Sequence, residues 1–97
     1  MRIGVAKTTR HVIISGRVQG VWFRGWTKQQ ASSLGLTGWV RNRRDGTVEA
    51  IFQGDAADID AMLKACWQGP PAASVVDIRV ADGVLSNFHN FRHLPTI

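Results

Sequence analysis

The chain has 97 residues, 44% of them hydrophobic, a formal net charge of +5 and a pI near 10.7. That length suits one domain that buries about two thirds of its unfolded surface and needs no staple, and the positive balance predicts an anionic partner. A lone cysteine, Cys66, excludes an internal disulfide. No Cys and His share zinc-ligand spacing, and no apolar run approaches the roughly 20 residues that span a bilayer.

Met1 to Thr9 has no clear periodicity and no secretory apolar centre, so 1–9 reads as a flexible arm and 10–97 as a single domain in the reducing cytoplasm. His11-Val12-Ile13-Ile14-Ser15 is apolar enough for a central strand. From Arg24 to about Leu34, side chains recur at helical spacing, and Gly35 supplies the stop. Leu36–Arg41 and Thr47–Phe52 predict a hairpin around Asp45-Gly46, with Val48, Ala50 and Phe52 on one face and Thr47, Glu49 and Ile51 on the other. Asp55 then caps a second helix whose Ile59, Met62, Leu63 and Cys66 form an apolar stripe, ended by Gly69-Pro70-Pro71. Val76, Ile78 and Val80 alternate with Val75, Asp77 and Arg79, which predicts a half-buried strand. A short last strand is expected from about Asn90 to Leu94.

This order, βαββαβ with a short extra C-terminal strand, predicts an α+β ferredoxin-like sandwich: a mostly antiparallel sheet with two helices on one face. In its split βαβ half, the helix carries the chain back, so the first and second strands run the same way. The loop after the first strand and the hairpin after the second therefore emerge at one edge of the sheet, which brings Arg24 and Asn42 together.

Those two residues close the two segments richest in chemistry. In Ser15-Gly16-Arg17-Val18-Gln19-Gly20-Val21-Trp22-Phe23-Arg24, glycines let successive N–H groups point into one concavity at a helix N-terminus, and Arg24 adds a planar fork for two phosphoryl oxygens. The same spacing also fits a tight turn with a solvated arginine. Asn42, at the rim of the hairpin, is either a turn residue bonding its own backbone or a donor and acceptor aimed at a ligand. His11, His89 and His93 have no partnered nucleophile and read as surface or packing histidines, whereas Trp22, inside the loop, could contact an acyl group. The third strand carries Glu49 and small aliphatics where an RNA-recognition domain of the same topology carries aromatics, which argues against nucleic acid as the partner.

The run Ile14 to Arg24, together with Gly38-Trp39-Val40-Arg41-Asn42, Gly46, Val48 and Gly54, resembles the two signatures of the small acylphosphatases over about 30 residues. The resemblance implies hydrolysis of acyl phosphates to a carboxylate and inorganic phosphate, without metal or cofactor. It carries Arg24 over as the phosphate-binding residue and Asn42 as the group that positions the attacking water. Main-chain amides of Arg17, Val18, Gln19, Gly20, Val21, Trp22 and Phe23 are expected to cradle the phosphoryl oxygens. The expected partners are a small acyl phosphate and inorganic phosphate, as product and inhibitor, with no membrane or nucleic acid and a monomeric chain.

Overall fold

A computed structural model describes residues 7–97. Seven elements follow in chain order: β1 (Thr8–Arg17), α1 (Phe23–Ser33), β2 (Thr37–Asn42), β3 (Val48–Gly54), α2 (Ala56–Gln68), β4 (Ser74–Asp82) and β5 (Phe91–His93). They build one sheet in the order β4-β1-β3-β2-β5, antiparallel except for the last pair, with the helices against one face. The expected ferredoxin-like architecture and its extra strand are both present. Six residues of the expected arm, 1–6, lie outside the described residues. Thr8 and Thr9 belong instead to β1, opposite Gly54 and Gln53, where the Thr9 hydroxyl donates to Gln53 Oε1 at 2.8 Å.

The core follows the alternation of the central strands. Val12 and Ile14 of β1, Val40 of β2, and Val48, Ala50 and Phe52 of β3 are all fully buried, and Phe52 stacks on Phe91 of β5 at 5.6 Å between ring centroids. The helices close this layer with Phe23, Thr27 and Ala31 of α1 and Ile59, Met62 and Cys66 of α2. Asp55 occupies the N-cap position of α2, and Asp58 lies in the first turn, where the helix dipole favours an acid.

The opposite face carries a polar network in place of an apolar core. Glu49 is 9% exposed there and accepts from His11 Nε2 at 2.6 Å and Arg41 Nε at 2.7 Å, while the Arg41 guanidinium lies 4.6 Å from the Trp39 ring centroid. Burial opposes the Glu49 charge, but the two hydrogen bonds and two cationic neighbours outweigh it and hold the carboxyl below its ordinary pKa.

One strand departs from simple alternation. Asp77 pairs with Ser15 but Val75 pairs with Gly16, so Val76 is the extra residue of a β-bulge. The bulge lets Val75 and Ile78 pack against the core together, leaving Val76 73% exposed. Gly16 is required beside it: its φ is +122°, and a Cβ there would overlap the Ser74 carbonyl.

Candidate active site

The first and second strands both run antiparallel to β3, so they run parallel to each other. Loop 18–22, which follows β1, and the β2 hairpin therefore open on the same edge. The hairpin loop spans Arg43 to Thr47, closed by Arg43 N–H donating to the Thr47 carbonyl at 2.9 Å. Asp45 Oδ1 accepts from the Thr47 N–H and hydroxyl at 3.0 and 2.6 Å, the local closure that makes an Asp-Gly pair a turn. Gln19 then ties the two segments together, its Nε2 donating to the carbonyls of Arg43 at 2.8 Å and Thr47 at 2.9 Å.

Between them lies a cleft of about 170 Å³ lined by Val18, Gln19, Gly20, Trp22, Phe23, Arg24, Gly25, Asn42 and His93. Val18 and Phe23, each 1% exposed, root the loop and the start of α1 in the core. Gly20 and Trp22 take positive φ of 72° and 66°, the local handedness from which backbone N–H concavities are built. None of the N–H groups from Val18 to Phe23 donates to another described residue, and no side chain caps α1. Donors without an acceptor among the described residues and the positive end of a helix thus lie in the segment that lines the cleft.

Arg24 makes no hydrogen bond or ion pair with any described residue. Across the cleft, Asn42 is 8% exposed, and its Oδ1 is buried without a hydrogen-bond donor among the described residues. A buried acceptor left this way costs about 1–3 kcal/mol, so the fold carries an expense that local packing does not explain. A turn about χ2 exchanges Oδ1 and Nδ2, so the same amide can present either an acceptor or a donor to a guest.

The structure brings together most of the residues expected to form the site. Arg24, Asn42, Val18, Gln19, Gly20, Trp22 and Phe23 line one cleft, whereas Arg17 ends β1 opposite Ser74 and Val21 turns into the core. Two contributions escaped the sequence reading. His93 lines the cleft because β5 pairs parallel to β2 with His93 opposite Val40, a placement that no local spacing signals. Desolvation and the charges of Arg24 and Lys28 hold its imidazole below the ordinary histidine pKa. The Gln19 side chain bridges to the hairpin, which the sequence reading assigned only to a backbone amide.

A larger hollow of about 340 Å³ is lined by Arg41, Arg43, Arg44, Asp45, Glu49 and Ile97. Its Arg41 is committed to Glu49, and Arg43 Nη2 stands 3.9 Å from Asp45. Among the described residues, no group of three or more His, Cys, Asp or Glu is placed to hold a metal ion, and no helix is long and apolar enough to cross a membrane.

The family model described as acylphosphatase matches residues 10–93. An acylphosphatase of Rhodospirillum rubrum is 55% identical over 86 residues, 89% of this chain and 94% of that protein. Among solved structures, an acylphosphatase from Coxiella burnetii superposes with a TM-score of 0.90 at 35% identity, covering 96% of this chain and 100% of that one. The acylphosphatase from Bacillus subtilis gives 0.87 at 34% identity, covering 92% and 99%.

Proposed function

The chain belongs to the acylphosphatase family and is an enzyme that hydrolyses acyl phosphates, and from that premise we propose that Arg24 and the loop amides hold the phosphoryl group while Asn42 positions the attacking water. The observation that carries this reading is the shared cleft: a guanidinium, N–H donors and a buried amide oxygen, all without partners among the described residues, meet in about 170 Å³. Each lacks what a bound phosphoryl group and its water would supply.

The reaction asks little else of the protein. Water oxygen attacks phosphorus as the bond from phosphorus to the acyl oxygen breaks. The bonding pair leaves with the carboxylate, and a water proton passes to a phosphoryl oxygen, so an acyl phosphate dianion and water give a carboxylate and dihydrogen phosphate. A carboxylate leaves without a general acid, and a loose transition state gains mainly from orientation and charge stabilisation. Arg24 offers two donors in one plane, and the loop amides from Val18 to Phe23 surround the equatorial oxygens. The Asn42 amide can bond water and a phosphoryl oxygen at once.

We also propose that the enzyme works without metal or cofactor, as a monomer in the cytoplasm, with inorganic phosphate as competitive inhibitor and no polynucleotide partner. The helix-free face supports the last point, because β3 presents Glu49 there, engaged with His11 and Arg41. Phosphate release from benzoyl phosphate, beside p-nitrophenyl phosphate and with EDTA present, tests this reading. Turnover of the acyl phosphate alone, unchanged by EDTA and lost in Arg24→Ala, is expected; equal turnover of the monoester or loss on chelation would overturn it.

A further inference from the structure

We propose that the Trp22 indole is the acyl-group platform of this site and that it selects acyl phosphates whose acyl portion is a flat aromatic ring. The inference rests on the acyl phosphate reading of the cleft. It begins from a mismatch of size: about 170 Å³ is small beside the roughly 300–1,000 Å³ of pockets that enclose drug-sized ligands. A phosphoryl group with its water leaves too little of such a cleft for an aromatic acyl portion, which must lie at the mouth.

Trp22 stands at that mouth. It lines the cleft yet remains 58% exposed, while its neighbour Phe23 is 1% exposed and packs edge-on against Trp26 at 5.4 Å. An indole half in water loses the burial that usually justifies a tryptophan. Its backbone adds to the anomaly, because Trp22 has the one positive φ among non-glycine described residues, 66°. A bulky side chain in the left-handed region is a strained choice that glycine or asparagine would relieve.

The ring is nonetheless held in place. It lies back across Gly25, close enough that a Cβ at that position would overlap the indole nitrogen and two neighbouring ring atoms. Gly25 thus supplies a seat for the indole over the first turn of α1, beside Arg24. The consequence is a preset aromatic surface next to the phosphate cradle, with one face against the chain and much of the remainder free. Rigid rings of this kind give contact area at small entropic cost, and ring-on-ring contact adds to what area burial supplies.

The test compares kcat/KM for benzoyl phosphate and acetyl phosphate in the wild type, in Trp22→Gly and in Gly25→Ala. Glycine accepts φ of 66° and keeps the loop N–H, whereas Gly25→Ala keeps the ring but removes its seat. Each variant is expected to reduce the benzoyl-to-acetyl ratio about tenfold, which corresponds to about 1.4 kcal/mol; Trp22→Phe should keep part of the preference. An unaltered ratio in Trp22→Gly would overturn the platform and leave acyl phosphate hydrolysis intact. A wild type inactive on both substrates would overturn both readings.

Discussion

Replacing Asn42 by leucine should make the protein more stable and nearly inactive. Asn42 Oδ1 is buried without a donor among the described residues, a situation that costs about 1–3 kcal/mol, and leucine has a similar reach without the polar atom. Some of that cost is offset in solution when water finds the amide, so the expected gain is about 1 kcal/mol. For a domain of this size, such a gain raises Tm by roughly 4–8 °C. The backbone should not resist: the Asn42 carbonyl still accepts from Ile97 N–H at 3.1 Å, and residue 42 still pairs with Val48. Losing one placed polar group typically lowers turnover by about 10²–10³-fold, here in kcat, with phosphate inhibition little changed. Thermal unfolding followed by circular dichroism, with a phosphate-release assay on the same sample, reads both quantities. Turnover within twofold of wild type would remove Asn42 from the mechanism. A lower Tm would show that Oδ1 was already satisfied in the folded chain.

Arg24→Ala is expected to lower kcat/KM by about 10³-fold or more, with Arg24→Lys recovering little because the forked grip is gone; near-wild-type activity in the lysine variant would reduce the role to charge alone. For His93, the folded pKa lies below its ordinary 6.5, so the folded chain binds that proton more weakly than the unfolded one. Its linkage is neutral above 6.5 and costs stability as pH falls through the lowered pKa. Sulfate in the cleft should raise the His93 midpoint followed by NMR, and a midpoint indifferent to saturating sulfate would place the anion elsewhere. The Glu49 carboxyl has the opposite linkage: its depressed pKa contributes stability above about pH 4.5 that is lost as pH falls through the folded value. Denaturation midpoints of Glu49→Gln and wild type should therefore converge in acid; a constant gap would refute the ionic account. Cys66, whose thiol burial pushes up to about 12, should resist thiol reagents until the protein unfolds.

What could be read without coordinates was what short-range pattern controls. The α2 stripe of Ile59, Met62 and Cys66 buries as its spacing requires, and Val48, Ala50 and Phe52 share the core face because a strand has period two. Strand direction alone placed Arg24 near Asn42. The features that escaped depend on neighbours distant in sequence. Val76 faces out because β1 and β4 slip by one residue at Gly16, and a bulge of that kind leaves no mark in the alternation of valines and isoleucine. His93 enters the cleft only through the parallel pairing of β5 with β2.

The distinction reaches the chemistry. Arg24 could be suspected from its loop, since a guanidinium at a helix start beside glycines already suggests an anion. Asn42 could not be separated from an ordinary turn residue by spacing, because asparagine serves turns and ligands with the same two groups. The decisive difference is a missing partner. Asp45, three residues later, satisfies its side chain on Thr47 as a turn residue does, whereas Asn42 ends its strand with a buried oxygen that has no donor among the described residues. A residue held for the hairpin's sake would have closed that bond locally; on the proposed reading, the open bond at Asn42 is the one that the phosphoryl group or its water closes.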